Sequence, residues 1–281
     1  MPRVLLVGKL PLARRLDPAV LNRLIERDVL DGVRIAASEA NHQHTLSVVR
    51  AGLVACTVNE VTVERLRSAE AKDCDLIVTV GGDGTVLSAN ALGVSAPLLT
   101  VNSDPGGSMG VFARTDVHGV AALIDAWLRG RATSEDIPRL AVNVDGAPGV
   151  CFLNDCLVAS ANPAAMSRYV LEVDGRREQQ RSSGVWVATA AGSTAAIHSA
   201  GMTPIPYHRP ALLFKVREPF QGHGMLALRE GMQMPPSGLR LIPAMNDITL
   251  YVDGPHHRHV LPPGAVVEVL PHHEPLRLLR P

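Results

Sequence analysis

Residues Gly81-Gly82-Asp83-Gly84-Thr85 follow an apolar run, Leu76–Val80, and precede a helix-like pattern. Glycines at a strand-to-helix turn let the main chain come close to a phosphate, and the first turn of a helix favours anions. The turn lacks the lysine of a P-loop and carries a carboxylate at its centre. An aspartate beside a polyphosphate repels it unless it has a separate task. Two tasks suit Asp83: taking the proton of an attacking hydroxyl, or helping to hold Mg2+. The plain alternative is an ordinary turn in which Asp83 is the helix N-cap.

Three further stretches carry polar groups in suitable settings. Asn102-Ser-Asp-Pro-Gly-Gly-Ser-Met-Gly110 follows a second apolar run, and loops at the carboxyl ends of strands line the crevice of open α/β sheets. Asn154-Asp155, set between Leu153 and Cys156, offers donors and acceptors for ribose hydroxyls or a base edge. Gly192-Ser193-Thr194 follows the short apolar run Val185–Ala188 and forms a second turn built for close approach. Each has a bland reading as well: a surface loop, a strand end, tight helix–strand packing.

The elements that must position these residues change character along the chain. Val4–Val7 reads as a strand, and Asp17-Pro18 supplies an N-cap and a first-turn proline for Val20, Leu21, Leu24 and Ile25. Leu53–Val58 is strand-like, Val61 to Ala71 a weaker helix, and Asn41-His-Gln-His44 the start of a polar-faced helix without assigned chemistry. Leu76–Val80 and Pro97–Val101 are strands. Asp116 caps a helix with Val117, Val120, Ala121, Ile124 and Leu128 on one face, ending at Gly130. This alternation implies a parallel α/β sheet.

After about Ile137 strands dominate. Val-Asp-Gly occurs at 144–146, 173–175 and 252–254, each time after alternating apolar residues, which marks hairpin turns and not an internal repeat. The expected organisation is an α/β domain over 1–130, a mostly antiparallel, sandwich-like β domain over 131–270, and a tail, 271–281, packing back on the body. His256-His257-Arg258-His259, just past such a turn, reads as a solvated hairpin end rather than a metal site.

Composition limits the functional classes. The 281 residues suffice for one large or two smaller domains. Lys+Arg and Asp+Glu balance at 27 each and aromatics are 3%, which disfavours nucleic acid and anionic membranes as partners. Cys56, Cys74, Cys151 and Cys156 form no C-x-x-C pair, and no signal peptide or membrane span is legible, so a cytoplasmic location is expected.

Taken in order, Gly-Gly-Asp-Gly-Thr, the Asn102 loop, Asn154-Asp155, Thr189-Ala-Ala-Gly-Ser-Thr-Ala195 and the Tyr251-Val-Asp-Gly254 hairpin resemble the NAD kinases over roughly residues 73 to 270. The first motif alone is shared with lipid kinases and phosphofructokinases. Three positions depart from the usual pattern: Ser183-Gly184 stands for Asp-Gly, Asn154-Asp155 for Asn-Glu, and Ala196 for a tyrosine. Asn102-Ser-Asp-Pro105, Ser182-Ser-Gly184 and Phe214-Lys-Val-Arg-Glu-Pro219 are similar to the divergent branch that includes the mitochondrial NAD kinases of animals.

The resemblance implies ATP-dependent phosphorylation of the adenosine ribose 2′-hydroxyl of NAD, with Asp83 as the base. It implies phosphate binding by Gly81, Gly82, Gly84 and Thr85, and dinucleotide binding by Asp83, Gly84, Asn154, Asp155, Arg181, Ser183, Thr194 and Ala195. Asn102, Gly192, Ser193 and Ser199 are secondary candidates. Mg2+ would arrive with ATP, with no metal site of protein ligands alone, and family habit implies a homodimer. Two other readings stay open: a dinucleotide-binding sensor that has lost turnover, consistent with Ala190, Ala191 and Ala196, and a lipid or sugar kinase sharing the glycine motif.

Overall fold

The computed structural model describes residues 1–93, 95–222, 226–255 and 257–281. The chain divides into two compact units, Met1–Glu135 with Leu276–Pro281, and Asp136–Pro275. Residues 131–135 thus group with the first unit. The last residues return to it as a strand.

The first unit begins with β1 (Arg3–Gly8), then α1 (Leu12–Arg15), α2 (Pro18–Glu26) and a long α3 (Gly32–Gly52). There follow β2 (Thr57–Thr62), β3 (Leu76–Gly81), α4 (Asp83–Asn90), β4 (Leu98–Asn102), β5 (Thr115–Asp116), α5 (Val120–Leu128) and β6 (Thr133–Ile137). The C-terminal strand, β19 (Leu276–Arg280), joins the same sheet. Its strand order is β2-β1-β3-β4-β19-β6, with β5 also paired to β4. The pairings of β1 with β2 and β3, and of β3 with β4, are parallel. All of β3 is buried, as a run apolar but for Thr79 in a parallel sheet should be. Leu46 and Val49 of α3, its C-cap Leu53, and Val120, Leu123 and Ile124 of α5 pack with Val4, Leu6, Val78 and Val80 of the sheet.

Several local expectations shift. Asp17 does cap α2, accepting the Ala19 and Val20 N–H groups, with Pro18 in the first turn. The segment 61–71 is not a helix: β2 runs to Thr62, and two short 3-10 turns follow, Val63–Arg65 and Ser68–Ala71. Leu53 ends α3 rather than starting a strand. Residues 41–44 lie inside α3, and His42 and Thr45 are buried, so that face is not solvated. Asp116 sits in β5 and accepts the His118 and Gly119 N–H groups, which moves the start of α5 to Val120. Gly130, at φ +64°, follows the end of α5.

The second unit is a sandwich of two six-stranded antiparallel sheets. Its strands are β7 (Leu140–Val144), β8 (Ala147–Phe152), β9 (Asp155–Ser160), β10 (Ser167–Val173), β11 (Arg176–Ser182) and β12 (Val185–Thr189). They continue with β13 (Leu212–Val216), β14 (Glu230–Gln233), β15 (Leu239–Pro243), β16 (Ile248–Val252), β17 (His257–Leu261) and β18 (Val267–Pro271). The sheet orders are β11-β10-β15-β18-β7-β8 and β14-β13-β12-β9-β16-β17. Inward residues of both, including Phe152, Tyr169, Val187, Phe214, Leu241 and Leu250, form one core. A 3-10 turn (Ala191–Thr194) and α6 (Ala196–Ser199) follow β12. Asp145-Gly146 and Asp174-Gly175 have positive φ at both residues and close two-residue hairpins, as the sequence requires. His256 lies outside the described residues, and His257 to His259 belong to β17.

Candidate functional site

In the first unit the polar groups gather where the strand order reverses. The chain runs from β1 to β2 on one side and then to β3 on the other, so β1 and β3 flank a topological switch point. The Gly81–Thr85 turn leaves the carboxyl end of β3 there. Beside it stands Lys9, whose N–H donates to the Val80 carbonyl at 3.0 Å.

The glycines have distinct reasons. A side chain at Gly81 would overlap the Thr85 hydroxyl, and one at Gly82 the Ser108 hydroxyl, whereas Gly84 faces open space. None of the three is at positive φ, so close approach, not backbone handedness, selects them. Gly82 is the N-cap of α4 and gives no side-chain bond, so no capping side chain serves the first N–H groups of this helix. Asp83 is therefore the first residue of α4, not its cap. Its carboxylate accepts the N–H of Val111 at 3.1 Å and that of Phe112 at 2.9 Å.

These bonds tie α4 to the loop after β4. Asn102 spans that loop, accepting the Asp104 N–H at 3.0 Å and donating to the Ser108 carbonyl at 3.4 Å. Gly110, at φ +61°, has no room for a side chain against the Asn102 amide. The buried Ser103 hydroxyl meets Nδ1 of His42 at 3.1 Å. Burial, and then nearby Lys9, push the His42 pKa down to about 4, so the imidazole is neutral at physiological pH. Burial lowers the Lys9 pKa against the opposing pull of Asp104 and Glu39, and its Nζ donates to Ser38 at 3.4 Å.

The second unit brings together the Asn154-Asp155 pair, the 189–196 turn and the Asp253 hairpin. The Asp253 carboxylate accepts the N–H groups of Leu153 (2.9 Å), Asn154 (2.8 Å) and Asp155 (3.2 Å). The Asn154 carbonyl accepts the Thr189 N–H at 2.9 Å, and the Leu153 carbonyl accepts the Thr189 hydroxyl. Gly192 lies so close to the Asn154 carbonyl that any side chain would collide with it. Asp155 is buried and accepts the Ala196 N–H. Burial first, then the charge of Asp253, push its pKa up to about 7.

The remaining candidates divide. Thr194 is exposed and Ala195 half-buried beside this cluster. Ser193 is fully buried, its hydroxyl exchanging bonds with the N–H and carbonyl of Ile205, so it is structural. Asn102 is likewise spent on its own loop. Ser199 is exposed near the end of α6. Arg181 is exposed, its guanidinium 4.6 Å from the Phe220 ring. Ser183 is tied through its main chain to Arg217, at 3.0 Å from N–H to carbonyl. Sequence reasoning missed Lys9, His42 and the role of Asp253. Among the described residues no group of three or more His, Cys, Asp and Glu could hold a metal ion. No described helix is long and apolar enough to cross a membrane.

A glycine turn with a fixed carboxylate, on an α/β unit followed by a β-sandwich, is an architecture shared with solved NAD kinase and NADH kinase structures. The family model for the ATP-NAD kinase N-terminal domain matches residues 11–132. A protein from Oryza sativa subsp. japonica named as a probable NADH kinase is 31% identical over 90% of this chain and 82% of its own length. An NADH kinase of Arabidopsis thaliana is 32% identical over 70% of each chain. The yeast NADH kinase structure, solved with NADH, superposes with a TM-score of 0.72 at 17% identity, covering all of this chain and 84% of that one. The Archaeoglobus fulgidus NAD kinase, solved with ATP, gives 0.68 at 21%, covering 98% and 92%. The chain belongs to the NAD kinase family. Of the readings left open by the sequence, neither a sensor nor a lipid or sugar kinase is what these relatives are named for.

Proposed function

We infer that the chain is an ATP-dependent kinase that phosphorylates the adenosine ribose 2′-hydroxyl of NAD or NADH. The observation that carries this reading is Asp83, a carboxylate held by two main-chain N–H groups at the start of α4, beside Gly84, which faces open space.

In the reaction the 2′-oxygen attacks the γ-phosphorus, and the bond from that phosphorus to the β-phosphate oxygen breaks. The hydroxyl proton passes to Asp83 and ADP leaves. Each carboxylate oxygen has two acceptor sites, so the N–H bonds that fix Asp83 leave capacity for the hydroxyl. Gly81, Gly82, Gly84 and Thr85 form the phosphate cradle. Mg2+, entering as Mg-ATP, supplies charge neutralisation on the phosphates. Asn154 and Asp155 orient the nucleoside, with Arg181, Ser183, Thr194 and Ala195 on the rest of the dinucleotide. The proposed setting is the cytoplasm, which suits cysteines without disulfides whose thiol pKa values burial raises, and the proposed assembly is the homodimer that family habit implies.

Incubation with Mg-ATP and NAD, read out by an NADP-specific dehydrogenase, tests the activity. Steady NADP formation is expected. Tight NAD binding without product would favour a sensor instead.

A further inference from the structure

The tripeptide Val-Asp-Gly occurs three times, and its third copy does more than turn the chain. Asp145-Gly146 joins the paired Val144 and Ala147, and Asp174-Gly175 joins the paired Val173 and Arg176. Asp253-Gly254 instead lies between the paired Val252 and His257, a longer connection. The Asp145 carboxylate accepts the N–H of Val266, just before β18, at 2.8 Å. The Asp253 carboxylate accepts three consecutive N–H groups, those of Leu153, Asn154 and Asp155. The Asp253 N–H in turn donates to the Asp155 carbonyl at 2.9 Å.

Consecutive N–H groups converging on one point make an anion site, and here the chain fills it with its own carboxylate. Hydrogen bonds to a charged acceptor are stronger and shorter than neutral ones. From the opposite side, Thr189 binds the Leu153 and Asn154 carbonyls. The main chain at 153–155 is thus clamped on both its donor and its acceptor groups. The Asn154 side-chain amide stays outside these bonds.

We propose that Asp253 is a positioning residue for dinucleotide recognition, fixing the 153–155 main chain so that Asn154 and Asp155 meet the nucleoside in one arrangement. This rests on the kinase reading given above. These three bonds leave the hairpin altogether and reach a segment about a hundred residues away in sequence, so they mark a role beyond turning the chain. Groups that hold the nucleoside equally in the ground and transition states act on KM, so loosening them costs NAD binding and leaves kcat nearly unchanged.

Asp253→Asn tests it. Asparagine tolerates the φ of +46° at this position, so the turn survives while the charge and one acceptor are lost. Asp145→Asn is the control carboxylate on another hairpin, and Thr189→Val removes the hydroxyl that donates to the Leu153 carbonyl and accepts the Gly192 N–H at 2.9 Å. Asp253→Asn should raise the NAD KM about tenfold or more, while the ATP KM and the kcat at saturating NAD change no more than about threefold. Amide hydrogen exchange at 153–155 should accelerate in the same variant. Thr189→Val should give the same one-sided shift, and Asp145→Asn should not. The proposal is overturned if the NAD KM of Asp253→Asn matches wild type, or if Asp145→Asn reproduces its profile. Should Asp253→Asn fail to fold, Thr189→Val decides, and an unmoved NAD KM there overturns the proposal. A wild-type chain that makes no NADP overturns the functional reading itself, and this inference with it, which is a different result from an active wild type with an indifferent variant.

Discussion

The N–H of Phe112 donates to the carboxylate of Asp83 at 2.9 Å, across 29 residues of sequence. With the Val111 N–H on the other carboxylate oxygen, it makes Asp83 both the proposed base and the anchor of the loop after β4. Asp83→Asn keeps one acceptor but turns an amide NH2 toward a main-chain N–H. Turnover should fall about a hundredfold or more, the scale of a lost general base, with a stability cost of about 1–3 kcal/mol for the mispaired donor. Steady-state kinetics beside a thermal melt check both. Near-normal turnover removes Asp83 from the chemistry.

The cradle glycines should separate structure from binding. Gly81→Ala places a methyl on the buried Thr85 hydroxyl and should destabilise the first unit by about 1–3 kcal/mol. Gly84→Ala meets nothing within 4 Å and lies in a helix, where alanine is favoured by about 1 kcal/mol. Its melting temperature should hold or rise, while the ATP KM increases because the methyl stands where a phosphate approaches. Melts and ATP titrations of the two variants, side by side, test this opposition.

Asp155 should give NAD recognition a pH dependence near neutrality. Its pKa rises from 3.8 to about 7 because burial, then Asp253, disfavour the anion. Ligand hydroxyls bind best to the ionised acceptor, so the NAD KM should fall as pH rises through about 7 and level off above it. Asp155→Asn should abolish the inflection. The same shift makes the folded state bind more protons than the unfolded one between about pH 4 and 7, so this group's contribution to stability declines as pH rises through that window. KM measurements from about pH 6 to about 8.5 on both proteins check the kinetic part.

His42 should act in the opposite sense in the first unit. Its folded pKa of about 4 lies below the ordinary 6.5, so the unfolded chain binds the extra proton between those values. Its contribution to stability is complete above about pH 6.5 and is lost as pH falls toward 4. Urea midpoints for wild type and His42→Asn at neutral and acid pH should converge as pH falls. A constant gap would contradict this.

The strands were the most legible part of the sequence. Leu76–Val80 is apolar at every position but Thr79 because β3 is buried on both faces, and the Asp-Gly turns announce hairpins by their φ demands alone. Val61–Ala71 misled because its spaced valines and leucine imitate a helix, whereas Thr57–Thr62 is a polar edge strand whose pairing with β1 no local pattern reveals. The glycine turn and Asn154-Asp155 were visible as motifs. Their partners were not: Phe112, Lys9 and His42 reach the turn or its neighbouring loop through strand order and helix packing. His42 sits in a helix too mixed in polarity to declare a buried face. Asp253 was in view as a turn residue, and only the positions of three amides about a hundred residues away disclose its second task.

The most direct measurement follows the phosphoryl group itself. With ATP labelled at the γ-phosphate, Mg2+ and NAD, the label should appear in NADP at the 2′ position of the adenosine ribose, and nearly vanish from it in Asp83→Asn. Label recovered only as inorganic phosphate, or transferred to a lipid or free sugar while NAD stays unlabelled, would contradict the account.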